Sequence, residues 1–135
     1  MASLWKSNIK NTNNSANAER NLLQEILKLD LRVKSCIQNI QSGCTSREDL
    51  NANNLEAAES MRSYRKMLEA LKALAMEQDK VQDKERLLLK AEECVKGMKC
   101  NIEALRKANL AAEMNIHDQD RERLLSGGHV RQRYS

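Results

Sequence analysis

The sequence predicts an all-α fold, an elongated antiparallel three-helix bundle, and three observations carry that expectation. The chain of 135 residues has no Pro, no Phe, four Gly and an aromatic content of 2%, so it lacks the turn residues and strand fillers that a sandwich or barrel needs. Its bulk is Leu, Ala, Glu, Lys, Arg, Asn and Gln, the composition of long helices. Apolar residues recur at alternating intervals of four and three along three stretches, which is a heptad seam each time. At this length there is room for one domain. Residues 1–15 read as a disordered Asn/Ser-rich lead, 16–125 as the helical domain, and 126–135 as a Gly-Gly linker with a basic tail.

The lead holds Asn8, Asn11, Asn13 and Asn14 among Ser and Thr, too polar to offset its ordering entropy by burial. Trp5 is its one aromatic residue, either stray or a small anchor for a partner. A first helix is expected over 16–42, capped by Ser15 or Asn17. Its seam is Leu22, Ile26, Leu29, Val33, Cys36 and Ile40. Off that seam runs an i+4 row, Leu23, Leu27 and Leu31, which either grips a second neighbouring helix or docks a partner protein. Gly43 supplies a left-handed stop.

The run Thr45-Ser46-Arg47-Glu48 fits a capping box with Thr45 as the cap, and a second helix over 46–78 follows. Its seam is Leu50, Asn54, Ala57, Met61, Tyr64, Leu68, Leu71 and Ala75. The apolar register fails at Gln78, and Asp79 or Asp83 could cap a new helix. A tight connection is expected there. One continuous helix, making a long helical hairpin, is the alternative. The third helix is expected over 83–118, with the seam Leu88, Ala91, Val95, Met98, Ile102, Leu105, Asn109, Ala112 and Ile116. Asn109 reads as a register-setting polar residue. Gly97 sits inside this helix, where it costs up to about 1 kcal/mol relative to Ala, and a close approach of a neighbour would explain it. Ser126-Gly127-Gly128 is expected to close the helical region.

No constellation for catalysis is present. Histidine occurs only as His117 and His129, outside any nucleophile or metal motif. A zinc site from Cys94, Cys100 and His117 would need several helix turns to converge. There is no phosphate-binding glycine loop. Glu92, Glu93 and Glu103 interleave with Lys90, Lys96, Lys99 and Lys107 as a solvated face. Net charge is +4, without a like-charge run or stacking aromatics, so no nucleic-acid surface is read. No apolar run is long enough to span a bilayer. The sequence therefore predicts no enzyme, cofactor or metal, and an interaction module in their place.

Particular strings go further. The run Glu25 to Lys34 with Ile37-Gln38-Asn39-Ile40, then Glu77-Gln78-Asp79-Lys80 and Leu87-Leu88-Leu89, then Arg106-Lys107-Ala108-Asn109-Leu110, then Leu124 to Gly128 with Arg131-Gln132-Arg133, occur in that order. Together they resemble the N-terminal cytosolic domain of the Sec-twenty (BNIP-one-like) family of endoplasmic-reticulum Qb SNAREs. Members of that family continue into a SNARE motif and a membrane anchor, and this chain stops before either. The resemblance implies Golgi-to-endoplasmic-reticulum retrograde vesicle fusion at the cytosolic face of the endoplasmic reticulum. It also implies docking onto the tethering complex there, on a subunit of the Tip-twenty or RAD-fifty-interacting-protein type. Syntaxin eighteen, Use-one and alpha-SNAP are the other implied partners. The animal family member carries a BH-three-like segment that needs Leu-x-x-x-Gly-Asp; here Leu124 and Gly128 match but His129 replaces the Asp. A reading of a different class is a self-associating structural coiled coil, in which at least one seam faces a second copy.

Overall fold

The computed structural model describes the backbone of residues 2–43 and 46–134 and the side chains of residues 14–43 and 46–126. Three helices follow one another: α1 Ala2–Gln41, α2 Arg47–Met76 and α3 Val81–Tyr134. No strand occurs among the described residues. The helices run up, down and up, and the three seams face each other within one chain. α1 packs most extensively on α2 and least on α3.

Gly43 lies at the start of the first connection with φ at 129°, a backbone conformation that L side chains avoid. α2 is capped by Ser46, whose Oγ accepts the Asp49 N–H at 3.1 Å. The cap therefore sits one residue later than the Thr45 expectation, and Thr45 itself lies outside the described residues. Ser46 holds the extended backbone of a cap, with φ −130° and ψ 153°, and Glu48 and Asp49 lie in the first turn, where the helix dipole favours anions. The break at Gln78 is real. α2 stops at Met76, and α3 begins at Val81 after a short connection, so the long-hairpin alternative is set aside. Asp79 and Asp83 do not cap α3; Asp83 lies inside its first turn.

Helix ends differ from the sequence expectation at both termini. α1 starts at Ala2 rather than at residue 16, and α3 runs to Tyr134 rather than stopping near 118 or at Ser126-Gly127-Gly128. Residues 2–42 contain no Pro or Gly, so nothing in the covalent chain forces a break upstream of the expected caps. Ser126-Gly127-Gly128 does not interrupt α3, because a glycine weakens a helix without forbidding it. The side chains of Trp5, His129 and the rest of the basic tail lie outside the described ones.

Two apolar clusters fill the interior. The first joins Ile26 and Leu29 of α1, Tyr64, Leu68, Leu71, Leu74 and Ala75 of α2, and Leu87 and Ala91 of α3. The second joins Val33, Ile37 and Ile40, Leu50 and Met61, and Ala108, Ala112 and Ile116. On α3 the buried line is shifted from the expected one. Leu87 and Asn101 are buried while Leu88, Val95, Met98 and Leu105 are half-buried, and Ile102 is 38% exposed. Ile102 is thus displaced from the seam, because Asn101 takes the inward position and bonds to α1. Gly97 meets no close neighbour: a Cβ there would lie 3.8 Å from the Tyr64 hydroxyl. That is ordinary contact, so close approach does not explain the glycine.

Candidate docking surface

α1 carries its interactions on a drifting row. Glu19, Leu23, Leu27 and Leu31 are spaced by four, and four residues turn about 400°, so each step rotates about 40° beyond the last. The row starts on α3. The Glu19 carboxylate accepts a bond from Arg86 Nη1, another from Arg86 Nη2 at 3.1 Å, and one from Lys90 Nζ at 3.0 Å. Leu23 is half-buried against the first cluster. Leu27 and Leu31 have rotated clear of both neighbours and are 58% and 55% exposed. The three leucines are thus divided: one packs on the core and two form an outward pair. Of the other α1 residues, Ile26, Leu29 and Val33 are buried and Leu22 is half-buried. On α2, Met61, Tyr64, Leu68 and Leu71 are all buried.

Polar groups lock this arrangement. Burial alone would raise the Glu19 pKa, yet the hydrogen bonds from Arg86 outweigh it, with Lys90 adding to them, and hold the carboxyl at about 2. Farther along α1, Asp30 accepts a bond from Asn101 Nδ2 at 2.7 Å and pairs with Lys34 at 2.8 Å. Between α2 and α3, Asn54 and Asn109 exchange amide bonds in both directions at 2.7 and 2.8 Å. The Tyr64 hydroxyl donates to the Cys94 carbonyl at 2.7 Å, and burial pushes its pKa well up.

Burial raises the Cys36 and Cys94 thiols above their usual range, which keeps them protonated and weakly nucleophilic. Among the described residues no group of His, Cys, Asp and Glu is arranged to hold a metal ion. An open cleft of about 770 Å³ lies at the end of the bundle, lined by Glu19, Gln78, Lys80, Asp83 and Arg86 among others. Glu19 and Arg86 are already paired across it. No helix among the described residues is long and apolar enough to cross a membrane.

A second set of exposed apolar residues escaped the sequence reading. Leu55 of α2 and Leu110 of α3 are 62% and 60% exposed, and Met114 lies one turn beyond Leu110. The available signal was the i+4 spacing of Leu110 and Met114 off the Ala112 and Ile116 seam.

Compared with known proteins, the chain is 38% identical over 105 residues to the human vesicle transport protein SEC20, covering 78% of this chain and 46% of that protein. The chain thus spans about half the length of the curated relative it matches. No family model matches it, and no solved structure does.

Proposed function

From the premise that this chain belongs to the Sec-twenty family, we propose that it is the N-terminal interaction domain of a SNARE acting in vesicle transport. Its task is to hold a vesicle-tethering complex at the endoplasmic reticulum during retrograde traffic from the Golgi. The partner is a helical tether subunit of the Tip-twenty or RAD-fifty-interacting-protein type. Syntaxin eighteen, Use-one and alpha-SNAP would engage other parts of the whole protein.

The observation that carries this reading is the outward pair Leu27 and Leu31. A single exposed leucine is ordinary on a protein surface. Two on adjacent turns of one helix, beside a half-buried third, form a short apolar stripe of the sort a partner helix covers. The test is the double variant Leu27→Glu with Leu31→Glu, assayed for helicity and for binding to the purified tether subunit. The expected result is a folded bundle that binds at least about tenfold more weakly, since a hot-spot contact contributes about 2 kcal/mol or more. Unchanged binding would take the docking face off α1, and an unfolded variant would make the pair core.

A further inference from the structure

α3 turns a second patterned face away from the bundle. Two residues along a helix rotate about 200°, so the position two beyond each buried residue points outward. Leu89, Glu103, Leu110 and Met114 stand in that relation to the buried Leu87, Asn101, Ala108 and Ala112, and all four are exposed. Between the two leucines the same ridge carries Glu92, Lys96, Lys99, Cys100, Glu103 and Lys107, every one exposed. The steps from Leu89 to Lys99 are three, four and three residues, and those from Cys100 to Leu110 are three, four and three again. The spacing therefore reads the same in both directions about the midpoint between Lys99 and Cys100. The charges invert across that midpoint: Glu92 and Lys96 on one side answer Lys107 and Glu103 on the other. Glu92, Lys96, Lys99 and Lys107 form no ion pair among the described residues, and Glu103 has only Arg106 of its own helix.

We infer that this ridge is an interface between two copies of the chain, packed antiparallel through α3 about a two-fold axis between Lys99 and Cys100. A two-fold contact is self-complementary, so each pairing across it occurs twice. Leu89 meets Leu110 of the second copy, Glu92 meets Lys107 and Lys96 meets Glu103. Lys99 lies near its own counterpart beside the axis, one like-charge contact against two kinds of Glu–Lys contact that are each made twice. Glu85 falls opposite Met114, outside the leucine layers.

Direction and register both follow from the charges. A parallel pair would set Glu92 on Glu92 and Lys96 on Lys96, which repel. A slip of one heptad would bring Lys96 against Lys96 in one direction and Glu103 against Glu103 in the other. The pattern is its own complement, which a foreign partner does not require. Leu89 and Leu110 stand about 32 Å apart along the helix, so the contact is a single ridge with apolar ends and a polar centre. Such a small interface associates weakly and responds to salt. It lies apart from the Leu27 and Leu31 pair and does not rest on tether docking.

The test is the mass of the whole chain by sedimentation equilibrium over a hundredfold range of concentration. The expected result is a reversible monomer–dimer equilibrium that weakens at least about tenfold between about 0.05 and 0.5 M salt. Lys96→Glu with Lys107→Glu turns the ridge acidic, and Glu92→Lys with Glu103→Lys turns it basic. Each variant should keep its helicity and be monomeric alone, and a mixture of the two should associate. A short bismaleimide should join two copies through Cys100, and Cys100→Ser should remove that product. Leu27→Glu with Leu31→Glu should leave the dimer unchanged. A monomer at every concentration, variants that dimerise alone, a mixture that does not associate, or crosslinking that survives Cys100→Ser would each overturn the inference. So would a monomeric chain whose Leu89 and Leu110 amide shifts move when the purified tether subunit is added, which would give the ridge to that partner.

Discussion

Near the α2–α3 connection, α3 meets its neighbours with Leu87 and with half-buried Leu88, Val95 and Met98, against Leu68, Leu71 and Leu74 of α2. Near the Gly43 turn it offers Ala108, Ala112 and Ile116, with Ala104 and Leu105 partly buried. The first end also has the Glu19, Arg86 and Lys90 cluster. The second has the amide pair of Asn54 and Asn109 and an exposed ion pair of Arg47 with Glu113. Each methylene buried contributes about 0.8 kcal/mol, so a leucine-lined contact holds a helix far better than an alanine-lined one. The same helix is therefore clamped at one end and lightly held at the other. One long heptad pattern does not imply uniform stability along its length.

The largest effect should come from the clamped end. Leu71 is fully buried, and Leu71→Ala should cost about 3–5 kcal/mol, measured by urea unfolding. Ile116→Ala, in the lightly held end, should cost about 2 kcal/mol, because its neighbours there are small. Equal costs would break the contrast.

The Glu19 cluster supplies a smaller, pH-dependent test. Its carboxyl is held at about 2 against an ordinary value of 4.5. A depressed folded-state pKa stabilises fully above the ordinary value, and that stability is lost as pH falls from 4.5 towards 2. The cations of this cluster are partly exposed, so screening reduces the contribution to about 1–2 kcal/mol. Glu19→Gln should remove that amount at pH 7 and flatten the stability profile in the acid range. A mutant with an unchanged acid profile would mean that the clamp is apolar alone.

Smallest of all is the effect at Gly97, which lies between the two ends. A new Cβ would make an ordinary contact at 3.8 Å with the Tyr64 hydroxyl, so Gly97→Ala should stabilise by about 0.5–1 kcal/mol through helix propensity. A loss in thermal melting would show that α3 approaches α2 more closely than the static contact implies.

The legibility of these features in the sequence follows the same division. On α2 the four-and-three spacing from Leu50 to Ala75 coincides with the buried stripe except at half-buried Asn54, since the heptad is regular there. On α3 two overlapping rows compete. Hydropathy favours the row with Val95 and Ile102, whereas the bundle buries Leu87, Asn101 and Ala108. The choice turns on a partner that hydropathy does not see, Asp30 across the interface, and on alanines that let helices approach. Gly43 and the break before Val81 were legible because backbone conformation and register failure are local. Helix ends were not, because neither Pro nor Gly enforces them. The i+4 row on α1 was visible at once, but which leucines emerge depends on where α3 lies. The juxtaposition of Leu55 and Leu110 was hidden, since it requires knowing that Asn54 faces Asn109.

The contact between Asp30 and Asn101 acts as an alignment key. Heptad surfaces are nearly self-similar, so α3 could slide along α1 by seven residues and still meet apolar side chains. Such a slip would set Asp30 opposite Cys94 or Ala108, leaving it only Lys34, and would put the buried Asn101 amide among aliphatic groups without its partner. Only one sliding position satisfies both. The bundle thus carries its own length standard, and the exposed residues of α3 inherit their addresses on the surface from that amide together with the Asn54–Asn109 and Glu19–Arg86 contacts.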